Sequence, residues 1–209
     1  MSALVNALAM LVSLQTAQVK SEDELVYHWS GVFQEFDDTL SNREADVLAV
    51  LFVAKTRQWR DEVVQWNENK IKELADENRR ERDPARRRHY RSEIRRLGNE
   101  TRKLKKAKPG QWPMAKIRRL EPDKMGVLDL SCEVLQIVDD HNALISANGG
   151  GELLWVTNIT TKGMVDDQKY DFDYIFHILE ETKTFRTLLG GSKTVRVAQA
   201  VADYQRPRQ

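Results

Sequence analysis

The sequence predicts an α+β chain, with an N-terminal helical hairpin or short coiled coil followed by a small SH3-like or similar β-barrel. Three observations lead there. Apolar residues recur at steps of three and four in the first half, then give way to short β-rich runs after Gly126. Between the two regimes lies Lys108-Pro109-Gly110-Gln111-Trp112-Pro113. It stops a helix because proline lacks an N–H and restricts the residue before it. No strand–helix–strand alternation occurs, so a nucleotide-binding parallel sheet is not expected. The expected organisation is 1–20 as a signal peptide or N-terminal helix, 21–108 helical, 109–125 a Pro/Gly linker, 126–200 a β-barrel and 201–209 a tail.

The first element is ambiguous by chemistry. Ala3–Leu14 is apolar except for Asn6 and Ser13. Its length suits a signal-peptide core and falls short of the ~20 residues a membrane-spanning helix needs. A small residue, Ala17, follows, but no Lys or Arg precedes the run, and Gln15 would sit three positions before a cut after Ala17. The alternative is an amphipathic helix packed on the next one. Export and a cytoplasmic location therefore both stay open.

Ser21-Glu22-Asp23-Glu24 starts a helix, with serine as cap and acids facing the positive helix end. Val26, Trp29, Val32, Phe33 and Phe36 then share one face. Ser41 and Glu44 have capping-box spacing before the run Ala45–Ala54, which is apolar nearly all round and reads as a buried helix segment. Trp59, Val63, Trp66 and Leu74 continue the pattern less regularly. Asp83-Pro84 is the cleanest punctuation: aspartate caps, and proline suits a first helical position whose N–H would be unpaired anyway. From there Tyr90, Ile94, Leu97, Thr101 and Leu104 form a two-heptad seam on a helix running from Pro84 to Lys106. The expected partner of that seam is the preceding helix, folded back at Arg82-Asp83-Pro84, with a homodimer as the alternative.

Five or six short strands follow. Val134–Val138 ends in the turn Asp139-Asp140-His141-Asn142, and Ala143-Leu144-Ile145 leads to Asn148-Gly149-Gly150-Gly151. Leu153–Val156 comes next, then the alternating Tyr174–Leu179. Thr184–Leu189 and Thr194–Val197 flank the hairpin-like Gly190-Gly191-Ser192-Lys193. Taken together, Val134–Ile145, Leu153–Val156, Gly163–Asp167 and Thr182–Val197 resemble a small β-domain of uncharacterised, predicted exported proteins, many from planctomycete bacteria. The resemblance covers about a third of the chain and none of the helical half. It implies an SH3-like or similar barrel and export, and no reaction.

Of 209 residues, 41% are hydrophobic and 31% charged, and the formal net charge is only +1. That balance conceals a segregation. Between Arg79 and Arg119 there are 17 Lys and Arg against 4 Asp and Glu; the remaining residues hold 16 against 28. A chain polarised in this way can hold a polyanion through its middle, and the other reading is a helix solvated on its own or met by the chain's own acids. The polyanion-binding candidates are Arg79, Arg80, Arg86, Arg87, Arg88, Arg91, Arg95, Arg96, Arg102 and Lys103. Tyr90 is better explained as a seam residue than as a stacking platform. The stretch lacks a base-reading pattern, so nucleic-acid binding would be sequence-neutral.

Other chemistries find little footing. One cysteine, Cys132, excludes an internal disulfide framework and a Cys-rich zinc site. His28, His89, His141 and His177 are scattered, with His177 expected at a rim or outward position and His141 in a turn. Asp139, Asp140, Asp166, Asp171 and Asp173 could form a hydrolase site or hold a hard cation only by converging in space, and turn roles are the default. No nucleophile elbow, phosphate loop or dinucleotide motif is present. No cofactor or metal is expected. The reading is a non-enzymatic binding or scaffold protein with a basic helix and a barrel that docks. Its partner is a protein or an anionic polymer: nucleic acid in the cytoplasm, envelope polymer or anionic lipid if exported.

Overall fold

A computed structural model describes residues 19–147, 151–186 and 190–204. The expected signal-peptide segment, with the apolar run Ala3–Leu14, lies outside the described residues, as does most of the expected turn at Asn148–Gly150. The chain is α+β: among the described residues three α-helices precede one eight-stranded sheet that curls into a half-barrel.

Helix α1 spans Glu22–Phe36, capped by Ser21, whose Oγ accepts from the Glu24 N–H at 3.2 Å. Helix α2 spans Asn42–Arg80 and opens on a complete capping box, Ser41 N–H to Glu44 at 2.9 Å and Glu44 N–H to Ser41 Oγ at 3.3 Å. The less regular apolar pattern after Ala54 is the same helix continued, giving a rod of 39 residues, about 58 Å long. Helix α3 spans Pro84–Lys106, with the Asp83 carboxylate accepting from Ala85 N–H at 2.8 Å. It folds back on α2, the hairpin expected from the Asp83-Pro84 break. None of the described helices is long and apolar enough to cross a membrane.

A 3-10 turn, Pro109–Gln111, leads into the strands β1 (Lys116–Ile117), β2 (Met125–Leu128), β3 (Cys132–Ile137), β4 (Ala143–Ala147), β5 (Glu152–Thr157), β6 (Gln168–Lys169), β7 (Tyr174–Arg186) and β8 (Ser192–Asp203). Their order across the sheet is β1-β2-β7-β8-β5-β4-β3-β6. Two neighbouring pairs, β1/β2 and β5/β8, run parallel; the rest are antiparallel. Residues 109–125, expected as a linker, carry β1 and the first residue of β2, and Ala115, Ile117 and Met125 are buried. This stretch is thus packed, and it forms the edge of the sheet nearest the helices.

Two apolar clusters hold the molecule. One fills the curl of the sheet with Val134, Ile145, Leu154, Val156, Phe172, Phe176 and Ile178. The other lies on the opposite face, where Met125, Val127, Ile175 and Val201 meet Leu25, Trp29 and Phe33 of α1 and Ala49, Phe52 and Val53 of α2. Trp29, Phe33 and Phe52 form a triangle of ring contacts with centroids 4.5–5.8 Å apart. Ser30 Oγ donates to Asp46 at 2.6 Å and ties the two helices. The run Ala45–Ala54 is buried on this side only: Val47 and Val50 are 62% and 56% exposed, because α1 and the sheet cover one face of α2.

The β1–β2 contact depends on a missing side chain. Gly126 has φ of 149°, and a Cβ there would stand 2.3 Å from the Ala115 carbonyl oxygen, which accepts from Val127 N–H at 2.9 Å. Gly126→Ala must push the two strands apart. The expected cost is about 2–3 kcal/mol of overpacking. That lowers the thermal midpoint by roughly 4–12 °C in a chain of this size. A melt by circular dichroism reads it directly, and a midpoint within about 2 °C of wild type would show that the edge yields without cost.

Candidate polyanion-binding surface

Helix α3 holds ten Lys and Arg and two Glu. Its rotation is set by the seam. Leu97 and Thr101 are buried, and Tyr90, Ile94 and Leu104 are half-buried, against α2, where Asn67 and Leu74 are buried in turn. Thr101 removes the polar cost of burial locally, its hydroxyl donating to the Leu97 carbonyl at 2.8 Å. With the inward face fixed, helical geometry places the rest.

Arg88, Arg91, Arg95, Arg102 and Lys106 recur at helical steps and form one exposed stripe on the side turned away from α2. The stripe is about 27 Å long at 1.5 Å per residue. Both glutamates of α3 fall on the other flank, and both pair with Arg96, Glu93 at 2.9 Å and Glu100 at 3.6 Å. The stripe itself meets no carboxylate among the described residues. Arg88 Nε donates to the Pro84 carbonyl and Arg102 Nη1 to Asn99 Oδ1, each at 3.4 Å.

The candidate cations therefore divide. Arg88, Arg91, Arg95 and Arg102 stand together. Arg87 and Lys103 are exposed on the two flanks, and Arg80 is exposed at the end of α2. Arg79 pairs with Asp76 at 3.1 Å, Arg86 with Glu81 at 3.7 Å, and Arg96 is neutralised as above. Lys106 completes the stripe although charge density alone did not single it out; its spacing of four from Arg102 is the signal. Lys105 reaches across the hairpin to Glu68 at 2.6 Å. That bond and the lysine charge hold the Glu68 carboxyl below its ordinary range. On α2, Asp61 to Glu77 carries six acids against Lys70 and Lys72, so the hairpin is cationic on one helix and acidic on the other.

Two acids of the β half, Asp139 and Asp166, accept backbone N–H groups. Asp139 accepts from His141 N–H and from Asn142 Nδ2, both at 2.8 Å, and these bonds pull its carboxyl below the usual range. Asp166 accepts from Ile137 N–H at 2.8 Å. Asp140, Asp171 and Asp173 are exposed. Among the described residues no group of three or more His, Cys, Asp or Glu is placed to hold a metal. Cys132 is buried, with Sγ 3.5 Å from the Leu130 carbonyl. His141 lies in its turn as expected, its Nδ1 3.3 Å from the Ile159 carbonyl.

Of the two positions expected for His177, rim or outward, the outward one does not hold: its side chain is 14% exposed, opposite Met125 in the β2–β7 pairing, with Nε2 3.8 Å from the exposed Asp123. Burial pushes its imidazole below the ordinary 6.5; Asp123 acts in the opposite direction, and Lys55 of α2 adds to the lowering.

Compared with protein-family models, curated proteins and solved structures, the chain matches none. The stripe on α3 stands on its geometry alone.

The lowered His177 gives the fold a pH dependence. The unfolded chain takes up a proton near 6.5 that the native state resists, so stability is present above that value and is lost as pH falls below it. His177→Gln should shrink the fall in thermal midpoint between about pH 7.5 and pH 5.5, read by paired melts. Equal falls in both proteins would place the burial penalty elsewhere.

Proposed function

We propose that this chain is a binding or scaffold protein that works without covalent chemistry. The α2–α3 hairpin, a short coiled coil within one chain, presents its cationic stripe to an anionic polymer. The curled sheet, as an SH3-like or similar barrel module, docks the assembly to a protein partner. One observation carries the reading: five cations in line over about 27 Å, none with a carboxylate of the described chain in reach, on a helix whose opposite face is already occupied. A polymer of regularly spaced charge releases counterions on such a surface, which favours binding without sequence preference. The heptad seam supports the coiled-coil part of the reading and is used up inside the chain, so a homodimer would need a different surface.

Compartment decides the polymer. In the cytoplasm the stripe meets nucleic acid; in an exported protein, as the resemblance of the β half to planctomycete-type exported proteins implies, it meets anionic lipid or envelope polymer. The test uses a generic DNA duplex and anionic phospholipid vesicles in parallel. With about four phosphates neutralised, affinity should fall by roughly two orders of magnitude between about 50 and 200 mM salt. Replacing Arg88, Arg91, Arg95, Arg102 and Lys106 together by Gln should abolish that dependence while helix content stays constant. Salt-insensitive binding, or full affinity in the five-fold variant, would sink the proposal.

A further inference from the structure

A second cationic surface is built where the helices meet the edge of the sheet. A cleft of about 290 Å³ lies between the middle of α2 and the β1–β2 segment, lined in part by Lys55, Trp59, Lys116, Arg118, Arg119 and Lys124. The acids on its wall are Glu62 and Glu121. Glu121 pairs with Lys124 at 3.5 Å, and Glu62 accepts from Gln58 at 2.8 Å. Lys55 and Arg119 have no carboxylate partner among the described residues.

Arg118 is the central feature. Its Nε donates to Asp129 Oδ2 at 3.2 Å, and its guanidinium lies over the Trp59 indole, 4.9 Å from the ring centroid. Two contacts thus hold the group, and both leave its terminal Nη pair without a hydrogen-bond partner among the described residues. Asp129 stays ionised at this position. Burial works against its charge, but hydrogen bonds from Lys116 at 3.0 Å and from Arg118 outweigh that and hold its carboxyl low. A guanidinium oriented in advance spends little entropy on meeting a planar or tetrahedral oxyanion, and its fork matches phosphate.

We propose that this cleft is an anion site that takes a phosphate group, with Arg118 as the oriented fork and Lys55 and Arg119 as the closing charges. At about 290 Å³ the cleft is no larger than the smallest small-ligand sites, so it takes the phosphate group itself and leaves what is attached to it outside. The site uses α2 and the β1–β2 segment and none of the α3 stripe, so it stands or falls separately from the function proposed above.

The experiment is calorimetric titration of the full chain, in chloride buffer, with inorganic phosphate, pyrophosphate and adenosine monophosphate. The expected result is saturable binding to one site. Lys55→Ala and Arg119→Ala, neither of which breaks an ion pair among the described residues, should each weaken it about tenfold. Arg118→Lys, which keeps charge and loses the fork, should weaken it too, and the five-fold α3 variant should bind as wild type. A 5′-phosphorylated dinucleotide that competes with adenosine monophosphate identifies a nucleic-acid end as the phosphate source; failure to compete identifies a small molecule. No saturable binding, binding unchanged in both alanine variants, or binding lost in the α3 variant overturns the proposal.

Discussion

Strand β2, the first half of β7 and the second half of β8 are buried on both faces, and the rest of the architecture answers to that constraint. Ile175 and Phe176 are adjacent in β7 and both fully buried, Ile175 toward the helices and Phe176 into the curl of the sheet. A strand of this kind needs an apolar layer on each side. The curl supplies one. The other is the aromatic triangle of Trp29, Phe33 and Phe52, brought in by α1 and the first part of α2. Alanines at 198, 200 and 202 of β8 let both layers come close. Since α2 is one continuous helix and its N-terminal portion is committed to the sheet, its remainder leaves the sheet and needs a partner of its own. That partner is α3.

The charge pattern of α3 follows from the same arrangement. Its apolar seam faces α2, so its ten cations have only the flanks and the outer side to occupy. Few are compensated, because the hairpin brings only Lys105 to an acid of α2 within ion-pair distance among the described residues. Exposed pairs of this type stabilise by less than about 1 kcal/mol, so they cannot be what holds the hairpin together. Like charges at steps of three and four carry a small standing repulsion, about 0.2–0.5 kcal/mol per pair. The Asp83 cap, the N1 proline and the buried seam outweigh it. An external polyanion would relieve it, which is why the stripe, rather than the density of arginine alone, is the meaningful unit.

Local signals were legible where a single residue pair decides an outcome. Asp83-Pro84 and Ser41/Glu44 mark helix starts because capping chemistry acts within three residues. The seam of α3 was legible because its buried residues recur at steps of three and four. Strands β1 and β6 were not, because two-residue strands have no period and exist only through their neighbours. Neither were the parallel pairings: β1 joins β2 through a short irregular connection with no period of its own, and β5 joins β8 some forty positions later in the chain. The anion cleft was illegible in the same way: Lys55 and Trp59 come from α2 and Arg118 from some sixty positions later. His177 read as rim or outward because alternation along β7 does not say that α2 covers the second face.

The near-zero net charge misdescribes how the molecule meets an anion. At physiological salt the field of a charge is screened within about 8 Å. From Trp59 to Arg80, α2 extends about 32 Å, so the far end of the hairpin lies several screening lengths from the acids of the sheet. A polyanion arriving there encounters the cations of α3, offset only by the acids of the neighbouring α2, and not the acidic body behind it. The cleft at Arg118 works on the opposite principle. It sits against the body of the protein, where a nearby acid, Asp129, does not cancel the cation but aims it. One surface owes its strength to facing away from carboxylates and the other to contact with one, and a count of charges along the chain distinguishes neither.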